Sequence, residues 1–150
     1  MKSYSLSSNL CLLFMVFAAS TLVYACPPTA TRIFYCQTTN NKVVEVCDAG
    51  AQISYRFGRL GQSPEMALSV PRAQATTWQW QGVGRYLSYR VTIPNGTTAY
   101  SVFFSADRLS DNHDIDAGIN VEVNGELVAT IPCRADSLEQ QLEGIDLRSE

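Results

Sequence analysis

The sequence predicts an all-β fold, an antiparallel β-sandwich or small β-barrel of about eight to ten short strands. Three observations carry that expectation. Short runs of β-branched and aromatic residues recur along the chain, punctuated by Gly, Asn and Pro. Two Asn-Gly pairs, Asn95-Gly96 and Asn124-Gly125, stand between such runs, and a two-residue hairpin turn needs the positive φ that these residues tolerate. Residues 26 to 150 show no repeat, low-complexity tract or linker, so their 125 residues (150 minus 25) suit one domain with a proper core.

Residues 1 to 25 read as a secretory signal and stand apart from the fold. Lys2 is followed by the apolar run from Leu10 to Val23, and Val23-Tyr24-Ala25 fits a small-residue cleavage site. The run is shorter than the roughly 18 residues of a spanning helix, and no basic stop-transfer cluster follows it. Two fates are open to Cys26: an ordinary thiol after cleavage, or a lipid-bearing residue if Val23-Tyr24-Ala25-Cys26 acts as a bacterial lipobox. Either predicts a location outside the cytoplasm, periplasmic or secreted in the first case and lipid-anchored through Cys26 in the second.

The first hairpin is read in RIFYC and KVVEVC. A loop over residues 40 to 43 sets Cys36 opposite Cys47 at a separation that a disulfide spans, and Cys26 with Cys133 then ties the two ends of the domain together. The four cysteines form no C-x-x-C, so structural disulfides are preferred to zinc or dithiol chemistry. Next, QISYRF places Ile53, Tyr55 and Phe57 on one strand face, leaving Arg56 and Arg59 for the surface. Short strands follow at Met66 to Val70 and at Thr77 to Gln81, the second with Trp78 and Trp80 on a common face.

Residues 85 to 105 give the strongest hairpin. A turn at Asn95-Gly96 pairs residues whose numbers sum to 191, Val91 with Tyr100 and Tyr89 with Val102 among them, which matches apolar with apolar on one face. The opposite face, with Arg90, Ser88 and Phe103, is mixed and partly solvated. Asn124-Gly125 joins GINVEV to ELVATI in a less regular register that sets Leu127 against Glu122, and Ser137 to Leu147 reads as a helical turn.

Charge divides unevenly. Residues 26 to 106 hold seven basic groups against three acidic ones, +4, whereas residues 107 to 150 hold three arginines against eleven carboxylates, −8. The sum, −4, argues against nucleic acid as a partner, and membrane contact is expected only through lipid on Cys26. No motif calls for a cofactor or a catalytic constellation. The single His113 lies in an acidic loop whose Asp111, Asp114 and Asp116 are weak candidates for a cation; its spacing matches no calcium loop, so no metal is expected. Gly82-Val83-Gly84 reads as a turn and not as part of a dinucleotide fingerprint.

The candidate partner-binding residues are Trp78, Trp80, Arg85, Tyr86 and Arg90, because aromatics and Arg supply protein hot spots and planar rings stack on sugars. The segments YCQTTNNKVVEVCDAG, ISYRFG, SVPRAQATTWQWQGVGR and AGINVEVNG, within Tyr35 to Asp146, resemble a group of small exported proteins of Gram-negative bacteria without assigned activity. That resemblance implies a periplasmic or envelope location. In layout alone the chain also resembles the membrane-bound C-type lysozyme inhibitors, without their Ser-Gly-x-x-Tyr type of loop. The expected function is a non-enzymatic envelope module that binds a protein or glycan. The alternatives are a hydrolase using His113 with a nearby Asp, or a lysozyme-inhibitor-like protein.

Overall fold

Alternating runs joined by short turns leave each strand beside its sequence neighbour, and two successive meanders result. The computed structural model describes residues 26 to 150; the signal-peptide reading lies outside the described residues. Strands β1 (Thr31–Gln37), β2 (Val43–Asp48), β3 (Gln52–Gly58) and β4 (Met66–Pro71) form the first meander. The second comprises β5 (Thr76–Gln79), β6 (Tyr86–Asn95), β7 (Thr98–Asp107), β8 (Ile115–Val123) and β9 (Glu126–Pro132). The tail adds β10 (Glu139–Gln140) beside β1 and β11 (Arg148–Ser149) beside β5, completing sheets of five and six strands.

The sheets pack face to face as a sandwich and do not close into a barrel. Phe34, Val44, Val46, Ile53 and Tyr55 of the first sheet meet Tyr89, Val91, Ile93, Val102 and Ile119 of the second, all buried. Each such side chain contributes about 1.5–3 kcal/mol when removed from water. Tyr55 and Tyr100 stack across the sandwich with ring centroids 5.2 Å apart. Burial first, and Tyr100 second, push the Tyr55 phenol well above its ordinary range.

The disulfides differ from the expected pairing: Cys26 is joined to Cys47, and Cys36 to Cys133. The β1–β2 turn is centred earlier than a loop at 40 to 43, with strand pairing ending at Gln37 and Val43, so Cys36 stands opposite Val44, and Cys47 opposite Arg32. Cys36 therefore points into the core beside Phe34, whereas Cys47 shares the outer face with Glu45. Two cysteines on opposite faces of one sheet cannot meet. Cys36 instead reaches Cys133, just past β9, and ties the two sheets together. The Cys26 sulfur is bonded to Cys47, which leaves no thiol there for a lipid.

Two further expectations change. The β6–β7 turn is Gly96-Thr97, with Gly96 at φ 63°, so paired numbers sum to 193: Val91 faces Val102 and Tyr89 faces Phe104. The β8–β9 turn does use Asn124-Gly125, both at positive φ, and a bulge at Val128 moves Ala129 opposite Val121. The tail forms no helical turn across 137 to 147. A 3-10 turn at Ala135–Ser137 leads into β10, and the chain then crosses between the sheets, burying Leu142 completely.

Candidate functional site

The site is built by register on the outer face of the six-stranded sheet. Strand alternation turns Thr77, Val91, Val102 and Ile119 inward, so their sequence neighbours point out. One outward row runs Trp78, Arg90, Phe103, Gly118 across β5 to β8, and the next runs Thr76, Thr92, Ser101, Asn120, Thr130. Gly118 has no side chain to cover Phe103, and none fits there: a Cβ would lie 2.5 Å from the backbone oxygen of Ile131. The result is a shallow hollow of about 390 Å³ where the Trp78 and Phe103 rings stand among Ser88, Arg90, Ser105 and Asn120. Trp78 is 45% exposed although it belongs to a regular strand.

Charged groups on this face are held in place. The Arg90 guanidinium pairs with the Glu150 carboxylate, which also accepts a 2.6 Å hydrogen bond from the Thr92 hydroxyl. Burial works to raise the Glu150 carboxyl, but the hydrogen bonds from Arg90 and Thr92, the Arg90 charge and a hydrogen bond from Thr76 outweigh it between them and hold the group below its ordinary range. At the far end Arg85 bonds Asp107 at 2.6 Å and leans over the Tyr86 ring. That hydrogen bond is the main cause that holds the Asp107 carboxyl low, and the backbone N–H groups of Leu109 and Ser110 assist it. A second hollow of about 490 Å³ lies there, lined by Tyr86, Asp107, Asp114, Ile115 and Asp116, and it shares Ser105 with the first.

The candidate binding residues are thus divided. Trp78 and Arg90 line the aromatic hollow, Tyr86 lines the acidic one, and Arg85 supports that end through Asp107. Trp80 is engaged in packing: its Nε1 donates to the Val83 carbonyl at 2.8 Å, Arg108 sits 4.6 Å over the ring, and its inner edge meets the core. Phe103, Asn120, Ser88 and Ser105 are site residues that the candidate set lacks. Ser88 and Phe103 stand on the mixed face of the β6–β7 hairpin that the sequence already predicts, Ser105 follows by the same alternation, and Asn120 comes from β8.

The acidic loop does not gather its carboxylates. Asp114 and Asp116 line the second hollow without Asp111, and the three are not grouped at metal-ligand spacing. His113 sits at φ 49° in a tight turn, and its ring Nδ1 lies 3.3 Å from the Asp107 backbone carbonyl. Among the described residues no hydrogen bond joins that ring to Asp111 or Asp114. The group of ligand-type atoms at such spacing is Cys26, Glu45 and Cys47, on the other sheet, and its two sulfurs are bonded to each other. Two disulfides point to an oxidising environment outside the cytosol, and among the described residues no helix is long and apolar enough to cross a membrane. Comparison with protein-family models, with curated proteins and with solved structures gives no match.

Proposed function

We propose that the chain is a non-enzymatic binding module exported to the envelope or periplasm, and that it lays a glycan across the outer face of its six-stranded sheet. The exposed Trp78 ring, beside Phe103 and bordered by Ser88, Ser105, Asn120 and Arg90, carries this reading. A sugar ring offers one apolar face for stacking and a rim of hydroxyls for hydrogen bonds, and the hollow supplies both kinds of partner. Support for export comes from the two disulfides and from the amino-terminal apolar run. A protein partner is the second reading, because Trp, Tyr and Arg on one face also form hot spots.

Titration with soluble peptidoglycan fragments, read by isothermal titration calorimetry, tests the proposal. Trp78→Ala is expected to weaken binding at least tenfold while leaving the urea midpoint unchanged. Fragments that bind the variant as well as the wild type would sink it.

A further inference from the structure

The outer face of the five-stranded sheet carries a carboxylate with one oxygen unsatisfied. Glu45 of β2 is completely buried, and its two carboxylate oxygens are treated differently. Oε1 accepts a 3.0 Å hydrogen bond from Arg32 Nε; Oε2 is buried and has no hydrogen-bond partner among the described residues. Arg32 is also shared, since its second nitrogen bonds Glu139 of β10 at 3.1 Å. Arg56 stands opposite Glu45 on β3 and does not hydrogen-bond Oε2. A buried acceptor left without a donor is destabilising, the more so when it is charged. A donor to Oε2 is missing.

The neighbourhood indicates where that donor comes from. The Cys26 sulfur lies within 4.8 Å of a Glu45 carboxylate oxygen and is fixed by its bond to Cys47. The backbone nitrogen of any cysteine is three bonds from its own sulfur, about 3–4 Å away. The following residues are pinned by a turn in which Ala30 N–H donates to the Pro27 carbonyl at 2.8 Å. Cys26 is also the residue that cleavage after Ala25 would make the first of the chain.

We infer that the α-amino group freed at Cys26 is the missing partner of Glu45 Oε2. The inference rests on the export reading for its source of the amine. Hydrolysis of the Ala25–Cys26 peptide bond puts the hydroxyl of water on Ala25, and Cys26 leaves as an amine that takes up a proton at neutral pH. An amide N–H, which is uncharged and continues into residue 25, becomes a cation that can turn toward Oε2. The salt bridge then forms only after processing. The uncut chain folds with the carboxylate unsatisfied and is the less stable form, which suits a precursor that must cross a membrane unfolded.

The chain from residue 26 onward contains one lysine, Lys42, so it has two amines and each serves as a standard for the other. A fusion cut to leave Cys26 first, its disulfides formed, is methylated with ¹³C-formaldehyde and a borohydride at pH 7. The Cys26 α-amine is expected to react about tenfold more slowly, relative to Lys42, than it does in Glu45→Gln or than the Ala25 α-amine does in the chain that retains Ala25. The retained-Ala25 chain keeps Glu45, so the comparison survives even where Glu45→Gln fails to fold. Equal rates in the three chains would overturn the pairing and leave a bound water or proton as the partner of Oε2. Intact mass of the exported protein separates the two readings. A mass starting at an unmodified Cys26 supports the natural pair; a different start, or an acylated amine, overturns it in the cell while the fusion still reports on Glu45.

Discussion

Single residues on the six-stranded sheet separate binding from folding. Trp78 lies in β5 and Trp80 just past its end, yet one is exposed and the other is bonded, capped by Arg108 and set against the core. Trp80→Ala is therefore expected to lower stability by about 3 kcal/mol, read as a fall in the urea midpoint, in contrast to the silent Trp78→Ala. Asp107 makes a second residue-scale prediction. Its folded carboxyl titrates below the ordinary 3.8, held there by Arg85, so its contribution to stability is complete above that value and is lost as pH falls through the lower one. Asp107→Asn should be less stable than the wild type at pH 7, and the difference should shrink in urea titrations repeated below pH 4. A constant difference would show that the carboxylate charge is not what holds the loop.

Strands and hairpins show why the sequence was legible in some places and misleading in others. Side chains alternate with period two, so an error of two in register changes partners but keeps faces, and an odd error exchanges faces. The β6–β7 turn is displaced so that the sum moves from 191 to 193, and Val91, Tyr89 and Val102 stay in the core as expected. In the β1–β2 hairpin the expected sum of 83 gives way to 80, as in Cys36 with Val44, and the expected disulfide is lost with it. Local turn chemistry could not reveal this, because Cys133 lies 97 residues from its partner. Non-reducing peptide maps should return Cys26 with Cys47 and Cys36 with Cys133. Opening the second bridge should cost more, since closing a loop of about 100 residues is worth about 4.7 kcal/mol against about 3 kcal/mol for one of about 15. At β8, Gly118→Ala should destabilise by about 1–3 kcal/mol, because its Cβ would strike the β9 backbone and not a movable side chain.

At the scale of the molecule, two meanders are held as one body by their shared core, by backbone hydrogen bonds that join Arg134 to Gln37 and Thr39 to Pro132, by Cys36–Cys133 and by the tail. The tail was the least legible part. Leu138, Leu142, Ile145 and Leu147 show no strand alternation, and their apolar spacing imitates a helix while serving a chain that crosses from β10 to β11. Ending the chain before Leu138 would remove Leu142 from the core and a strand from each sheet. Loss of the cooperative urea transition is the expected result; a variant that still unfolds in one transition with an unchanged midpoint would contradict this role for the tail.

The pairing of Glu150 with Arg90 has a practical side. A purification handle appended after Glu150 would emerge beside Trp78 and load the very surface whose ligand is sought, so a weak or absent signal from such a protein would be an artefact of how it was made. A handle before Cys26 would occupy the place of the amine proposed for Glu45. The exposed turn at residues 61 to 64, between β3 and β4, belongs to the other sheet and leaves both sites open, which makes it the place to attach a tag, a fluorophore or a solid support.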